Sequence, residues 1–382
     1  RVAVLDGRPV AEFSRMNIPT AICCPNGELA FRVRSLVPDD STPIVVNCAG
    51  RTRSIIGAQT LINLGLPNPV YALENGTQGW SLADHVLEHG TSRCYAPQSG
   101  STALAANARR LAQRFQVREV DAATVLHWAD EPDRTLYLCD VRTPEEFAAG
   151  TLPGAQHTPG GQLIQAFDQY VGVRGARLVL FDSDGVRAPT VATWLRQMGH
   201  DASVLVGGVA SGLALPTRHR AEAPPLQGIG ASAAASELAA GRAVVIDLRS
   251  SVDFRKAHIP GARWSIRPRL SECMRGEPRT AVLVCDDAEV AAWAVDSEWP
   301  PQLARPLRLE GGLAAWRALG LPLSATPDVP ADSECVDFLF FVHDRHDGNK
   351  EAARRYLAWE TGLAAQVDAQ ELAAFRLPAI HG

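Results

Sequence analysis

The chain has 382 residues, and at roughly 100–200 residues per domain this length predicts two to four domains. Hydrophobic residues make up 46% of the chain and charged residues 21%, a composition that supplies sizeable cores and excludes a disordered protein. The net charge of −5 and the lack of a basic run argue against a nucleic-acid binder. No apolar run reaches the ~18 residues that a membrane span needs.

The chain begins at Arg1 and enters a strand-like apolar run at once, so we expect that it is a fragment or that upstream sequence is missing. Eight cysteines are present, none of them spaced as Cys-x-x-Cys, so neither a zinc site nor a disulfide scaffold is predicted. These features favour a reduced, cytoplasmic protein that uses no metal and no cofactor.

A short motif with one acid and one arginine occurs three times. In each copy an apolar run ends in aspartate, and arginine follows two positions later. An acid-Phe pair and an Ile/Leu-Pro turn then follow at the same spacing. The copies are Asp6-Gly7-Arg8, Asp140-Val141-Arg142 and Asp247-Leu248-Arg249. Repetition at this scale predicts three related domains.

Each copy continues with a second apolar run, a polar loop and a helical pattern. The runs at 44–47, 178–181 and 281–284 are short and rich in Val or Leu, which predicts buried parallel strands. From the aspartate to the residue that opens the loop is 42, 42 and 38 residues, and from there to a closing glycine is 28, 26 and 27. Because strands and helices alternate, each copy predicts an α/β domain with a parallel sheet.

These landmarks divide the chain into domains at residues 1–92, 117–216 and 228–325, followed by a tail at 331–382. The first domain is expected to be incomplete at its N-terminus, because its first motif lies so close to Arg1.

The tail predicts a small α/β extension. Its pattern indicates a strand at 338–342 and helices near 350–360 and 368–375. The turn at 343–347 carries two histidines and two aspartates that could bind a cation. We interpret it instead as a solvated turn or helix cap, and predict no metal site.

The Asp/Arg motif, the polar loop after a strand and the closing glycine together resemble the rhodanese family over about residues 1–325. The resemblance implies an α/β protein of three tandem rhodanese-like domains, each a mainly parallel sheet flanked by helices. It also implies a sulfurtransferase. In the family, a cysteine that opens a six-residue loop attacks the outer sulfur of a donor such as thiosulfate. The sulfur stays on that cysteine as a persulfide until a thiol or cyanide acceptor removes it.

The first loop matches the family's active loop, and it predicts Cys48 as the catalytic nucleophile. The thiolate is the reactive form of a cysteine, and arginines and a helix N-terminus favour it. A glycine in the loop permits a tight turn with backbone N–H groups pointing inward, which suits an anionic sulfur. The residues predicted to bind the donor here are Ala49, Gly50, Arg51, Thr52 and Arg53.

Arg8 matches the family's arginine near the donor anion, and we include it among the substrate-binding candidates. Two roles for Arg8 stay open: contact with the donor, or a salt bridge that supports the fold.

The other two loops depart from this pattern. In the second, Asp182 stands at the cysteine position, and because a carboxylate cannot form a persulfide, we predict an inactive domain. In the third, Cys285 is retained, but Val290 replaces the closing arginine and three acids lie nearby. Negative neighbours raise the pKa of a thiol, so we expect a poor nucleophile.

Two other functions remain as alternatives. Cysteine phosphatases and arsenate reductases use Cys-x5-Arg, whereas Cys48 to Arg53 is Cys-x4-Arg, a tighter ring suited to a single sulfur atom. The second alternative is a persulfide-carrying or interaction scaffold of degenerate rhodanese modules.

The expected partners are a small sulfur donor and a thiol or cyanide acceptor, with no nucleic acid and no membrane. Domains could pair within one chain, with the second domain walling the Cys48 pocket, or between the chains of a homodimer.

Overall fold

The computed structural model describes residues 2–98, 100–216, 221–340 and 349–377. The chain divides into two compact units, one containing the described residues of 1–218 and 344–382, the other those of 219–343. Three parallel sheets flanked by helices confirm the predicted α/β architecture. Within the described ranges, none of the helices combines the length and apolar character needed to cross a lipid bilayer.

The first domain is a four-stranded parallel sheet in the order β2-β1-β3-β4. Its central strands are apolar because both of their faces are covered by helices, and Leu5, Ile44 and Val46 are fully buried. The elements are β1 (Ala3–Asp6), α1 (Val10–Arg15), β2 (Ile22–Cys23), α2 (Asn26–Leu36), β3 (Ile44–Asn47), α3 (Thr52–Asn63), β4 (Val70–Ala72) and α4 (Gly76–Leu82).

The second domain repeats this arrangement with one more edge strand, in the order β5-β9-β8-β6-β7. Helix α5 (Thr102–Arg114) precedes it. Short 3-10 turns at Phe167–Gln169 and Gly208–Ser211 complete it. The other elements are β5 (Arg118–Val120), α6 (Ala122–Ala129), β6 (Leu136–Asp140), α7 (Pro144–Ala149), β7 (Gln156–His157), α8 (Gly160–Gln165), β8 (Arg177–Phe181), α9 (Arg187–Gln197) and β9 (Asp201–Leu205).

The third domain forms the core of the second unit, and its sheet has the order β10-β14-β13-β11-β12. A 3-10 turn lies at Arg267–Arg269. The elements are β10 (Gly228–Ile229), α10 (Ala231–Ala239), β11 (Ala243–Asp247), α11 (Ser251–Lys256), β12 (Arg263–Trp264), α12 (Leu270–Cys273), β13 (Thr280–Val284), α13 (Ala288–Glu298), β14 (Leu307–Leu309) and α14 (Gly312–Ala318).

The first two domains pack through their helices, with α2 lying against α8 and α9. Trp194 on α9 donates its indole N–H to the hydroxyl of Thr60 on α3 at 2.8 Å. Arg187 at the start of α9 bonds Glu28 on α2 at 2.9 Å, and both side chains are buried. This buried ion pair links the two domains within a network, because Glu28 also pairs with Arg32 and Arg187 also pairs with Glu146 and Asp184.

The tail differs in part from the prediction. Two helices are present as expected, α15 (Lys350–Gln366) and α16 (Ala369–Ala374). The strand expected at 338–342 is not seen in its described part, since Phe338 and Leu339 belong to no strand and Phe340 is helical. An apolar run this short is compatible with either state, and its packing decides. The turn at 343–347 lies outside the described residues.

Strand register explains the repeated spacing. In each domain, the aspartate of the Asp/Arg motif pairs with the last residue of the neighbouring central strand. The loop that follows that strand therefore begins beside the motif, at the carboxyl edge of the sheet, where open α/β sheets place their sites. The paired positions are Asp6 with Asn47, Asp140 with Phe181, and Asp247 with Val284.

Candidate active site

The Asp/Arg motif forms a buried clamp beside the loop. The guanidinium of Arg8 donates to Asp6 at 2.9 and 2.8 Å and to the carbonyl of Met16 at 2.7 Å, and Arg8 is fully buried. Arg142 and Arg249 make the same two contacts, with the carbonyls of Gly150 and Ala257 at 2.7 Å. All three domains share this geometry, although their loops differ. Of the two roles left open for Arg8, the geometry therefore matches a salt bridge that supports the fold.

Cys48 opens the loop directly after β3 and is 1% exposed. Its sulfur lies 3.5 Å from the hydroxyl oxygen of Ser54. Its carbonyl accepts hydrogen bonds from the backbone N–H of Thr77 at 2.8 Å and from the Thr77 hydroxyl at 3.1 Å. The start of α4 therefore fixes the backbone of the residue that carries the thiol.

Gly76 makes this contact possible. It has a φ of +53°, and a Cβ added there would lie 2.3 Å from the carbonyl oxygen of Cys48. The closing glycines of the other domains do the same, since a Cβ on Gly208 would lie 2.1 Å from Asp182 O and one on Gly312 would lie 2.9 Å from Cys285 O. Real side chains are not found this close, so the glycine that closes each repeat is the residue that lets the loop-opening carbonyl approach.

Arg53 ends the loop and points to α1. Its guanidinium makes two parallel bonds with Glu12 at 2.8 and 2.9 Å. Burial opposes the charge of Arg53, but Glu12 outweighs it, and the pKa of the guanidinium is raised. Arg187 makes the matching pair with Glu146 in the second domain, at 2.5 and 2.8 Å. This bidentate geometry positions the loop against α1 and balances the charge of Arg53 with that of Glu12.

The middle of the loop holds a carboxylate. Glu360 of α15 accepts hydrogen bonds through Oε1 from the backbone N–H of Arg51 at 3.3 Å and of Thr52 at 3.0 Å. The hydroxyl of Thr52 donates to the same oxygen at 2.9 Å. These amides lie at the N-terminal end of α3, where N–H groups lack partners within the helix and favour an anion. The predicted cradle at Arg51 and Thr52 therefore contains an anionic group of the protein itself.

Sequence reasoning missed Glu360. Tyr356, one turn earlier on α15, lies beside the loop too, since a Cβ on Gly50 would lie 3.0 Å from its ring. The residue spacing of the tail does not indicate a contact with this loop, because Thr52 and Glu360 are 308 positions apart in the chain. In the structure, helix α15 covers this loop.

In the second domain, the loop fills its cradle with its own carboxylates. Asp182 accepts from the backbone N–H of Gly185 at 2.8 Å and of Ala188 at 2.7 Å. Asp184 accepts from the N–H of Val186 at 3.0 Å. Burial and the neighbouring Asp184 raise the pKa of Asp182 to about 6, against the opposing effect of these N–H groups. The positions that match Arg51 and Thr52 thus bind carboxylates in both domains.

The third loop keeps a cysteine without the cradle. Asp287 accepts from the N–H groups of Glu289 at 2.8 Å and Val290 at 3.3 Å, so its carboxylate caps α13. Burial, with smaller contributions from Asp286 and Asp287 and against the lowering effect of Arg308, raises the pKa of Cys285 to about 11. Burial is thus a larger cause than the acidic neighbours, and both favour the unreactive thiol.

Comparisons with known proteins show the family of the chain. The sequence model described as "Rhodanese-like domain" matches the chain three times, at residues 1–83, 121–214 and 231–319. A thiosulfate sulfurtransferase from Pseudomonas aeruginosa is similar in structure, with a TM-score of 0.81 and 41% identity over 99% of this chain and 73% of that chain. An uncharacterized protein from Synechocystis is 30% identical over 89 residues, 23% of this chain, and the match spans 50% of that relative's length. Since the three family matches together cover well over half of its residues, the chain belongs to the rhodanese family.

Proposed function

We propose that this protein is a sulfurtransferase and that Cys48 is its nucleophile. One observation carries the proposal: the backbone N–H groups of the Cys48 loop already bind an anion, the carboxylate of Glu360. Of the three loops, this one combines the cysteine with the arginine and the glycine. An anionic donor and a persulfide are the ligands that such a cradle stabilises.

The reaction proceeds in two displacements. The Cys48 thiolate attacks the outer sulfur of thiosulfate, a sulfur–sulfur bond forms on Cys48, and the bond to the inner sulfur breaks so that sulfite leaves with the electron pair. The terminal sulfur of the resulting persulfide is an anion, which the N–H groups of Arg51 and Thr52 stabilise once the Glu360 carboxylate has been displaced from them. Cyanide, or a thiolate, then attacks that terminal sulfur, and thiocyanate or a new persulfide leaves while the Cys48 thiolate is restored.

Thiosulfate is the proposed donor on two grounds. The similar Pseudomonas aeruginosa structure is named as a thiosulfate sulfurtransferase, and its 41% identity extends over 99% of this chain. The Cys-x4-Arg loop also encloses less space than a phosphatase loop, which favours one sulfur atom over a phosphate.

The test is thiosulfate-to-cyanide sulfur transfer by the full chain and by Cys48→Ser. We expect the variant to lose at least about a thousandfold in rate, because no other step can replace the covalent intermediate. Cys285→Ser is the matched control and should retain the rate of the unmodified chain. Incubation with thiosulfate alone should add the mass of one sulfur atom to the peptide that contains Cys48.

Two outcomes would overturn the proposal. Full activity in Cys48→Ser would remove Cys48 as the nucleophile. A protein that gains no sulfur from thiosulfate, polysulfide or another persulfide donor would instead support an interaction scaffold built on the rhodanese fold.

A further inference from the structure

The tail helix α15 is anchored beside the active loop by contacts of its own. Ala352, Ala353 and Leu357 are buried, and the helix packs against α4. Lys350 forms an ion pair with Asp84, just beyond the end of α4. The helix therefore packs in a fixed position on the first domain, and this packing places Glu360 at the loop.

The two carboxylate oxygens of Glu360 have different surroundings. Oε1 accepts the bonds from Arg51 and Thr52 already described. Oε2 is buried and has no hydrogen-bond partner among the described residues. A Cβ on Gly50 would lie 2.3 Å from it, so the carboxylate lies directly against the loop at Gly50. A buried carboxylate oxygen without a donor is unfavourable, so this contact does not have the satisfied geometry of a purely structural cap.

The positive charge around the loop is already partly neutralised. Arg53 is engaged by Glu12 through both of its terminal nitrogens. Glu360 takes the two amides that follow Gly50. A donor anion that reaches the cradle must compete for the same N–H groups and meet a negative charge at short range, whereas an uncharged reagent meets no such repulsion.

We infer that Glu360 is a specificity-determining residue: it occupies the anion position of the Cys48 loop, so an anionic reagent must displace its carboxylate, whereas an uncharged reagent need not. The effect of Glu360 on sulfur transfer rests on the proposed function. The discrimination itself is a property of access to the Cys48 thiol, so it can be measured without turnover.

The test compares iodoacetate with iodoacetamide, which alkylate thiols in the same way and differ in charge. Labelling of the Cys48 peptide is followed by mass spectrometry in the full chain, in Glu360→Gln and in Glu360→Ala. Glutamine keeps an oxygen that can accept from Thr52 but removes the charge, so it isolates the electrostatic part. Glu351→Gln is the matched control. Glu351 is exposed on the same helix, so this substitution removes the same charge at a position away from the loop.

We expect the ratio of iodoacetate to iodoacetamide rates at Cys48 to rise about tenfold in Glu360→Gln. The variant no longer has a charged hydrogen-bond acceptor that competes with iodoacetate for the loop amides. The ratio should rise in Glu360→Ala as well and stay within about twofold in Glu351→Gln. If thiosulfate is a donor, its KM should fall in Glu360→Gln.

An unchanged ratio in both Glu360 variants would overturn the inference. So would a Cys48 that neither reagent labels in any variant, because the thiol would then be closed by something other than Glu360. Failure of the proposed function would look different: no sulfur transfer in the full chain, while the charge selectivity of labelling at Cys48 still depended on Glu360.

Discussion

Replacing Gly76 with alanine tests how the closing glycine supports the active loop. At a φ of +53° an alanine costs about 1–2 kcal/mol relative to glycine, because its Cβ crowds the following carbonyl. The added Cβ would also lie 2.3 Å from the carbonyl oxygen of Cys48, which a shift of the loop must relieve. Such overpacking costs about 1–3 kcal/mol more, so we expect about 2–5 kcal/mol of destabilisation in total.

Gly65 provides a matched control in the same domain. Its φ of +75° is also left-handed, but a Cβ added there would meet nothing within 4 Å. Gly65→Ala therefore incurs only the backbone part, about 1–2 kcal/mol. The two variants differ in the contact of the new Cβ with the backbone of the active loop, at Cys48, Ala49 and Gly50.

The assay combines thermal unfolding with thiosulfate-to-cyanide sulfur transfer. We expect Gly76→Ala to unfold at a clearly lower temperature than Gly65→Ala and to lose at least about tenfold more activity, since the loop moves with the Cys48 carbonyl. Equal stability and equal activity in the two variants would refute the reasoning, because it would show that the close approach of Gly76 to Cys48 has no energetic weight.

Two further predictions concern the other domains. Arg187→Met should destabilise the chain by about 3–5 kcal/mol in thermal unfolding, because the fully buried guanidinium pairs with Glu28, Glu146 and Asp184. The exposed pair of Arg109 with Glu119 is the control, and Arg109→Met should change stability by less than about 1 kcal/mol; equal losses would contradict the role of burial. For Cys285, with its pKa raised to about 11, alkylation by iodoacetamide should keep rising about tenfold per pH unit from pH 8 to pH 10. A plateau near pH 9 in the labelling of its peptide would show that its thiol is not shifted.

The repeated landmarks could be recognised in the sequence because their causes are local. A strand, its aspartate and its loop lie within about 50 residues, and the 42-residue spacing from Asp6 to Cys48 recurs from Asp140 to Asp182. Parallel strands need long crossover connections, and the register then brings Asp6 beside Asn47. The patterns alone thus predicted three parallel sheets.

The roles of the arginines could not be resolved in the same way. Arg8 and Arg53 both suit an anion site by charge, yet each is engaged by a carboxylate in the structure, Asp6 and Glu12 respectively. The partner of an arginine depends on the direction of a long side chain, which the sequence does not encode locally. The expected strand at 338–342 is a related case, since a short apolar run takes its state from what it packs against.

The sequence by itself determined the three α/β domains, the family and the contrast between one complete loop and two degenerate ones. These follow from hydrophobic periodicity and from residues at constant spacing, which act over short stretches of chain. Only the tertiary structure decided what covers the Cys48 loop. Glu360 reaches the amides of Arg51 and Thr52 because α15 packs against α4, a long-range contact whose partners no local pattern connects.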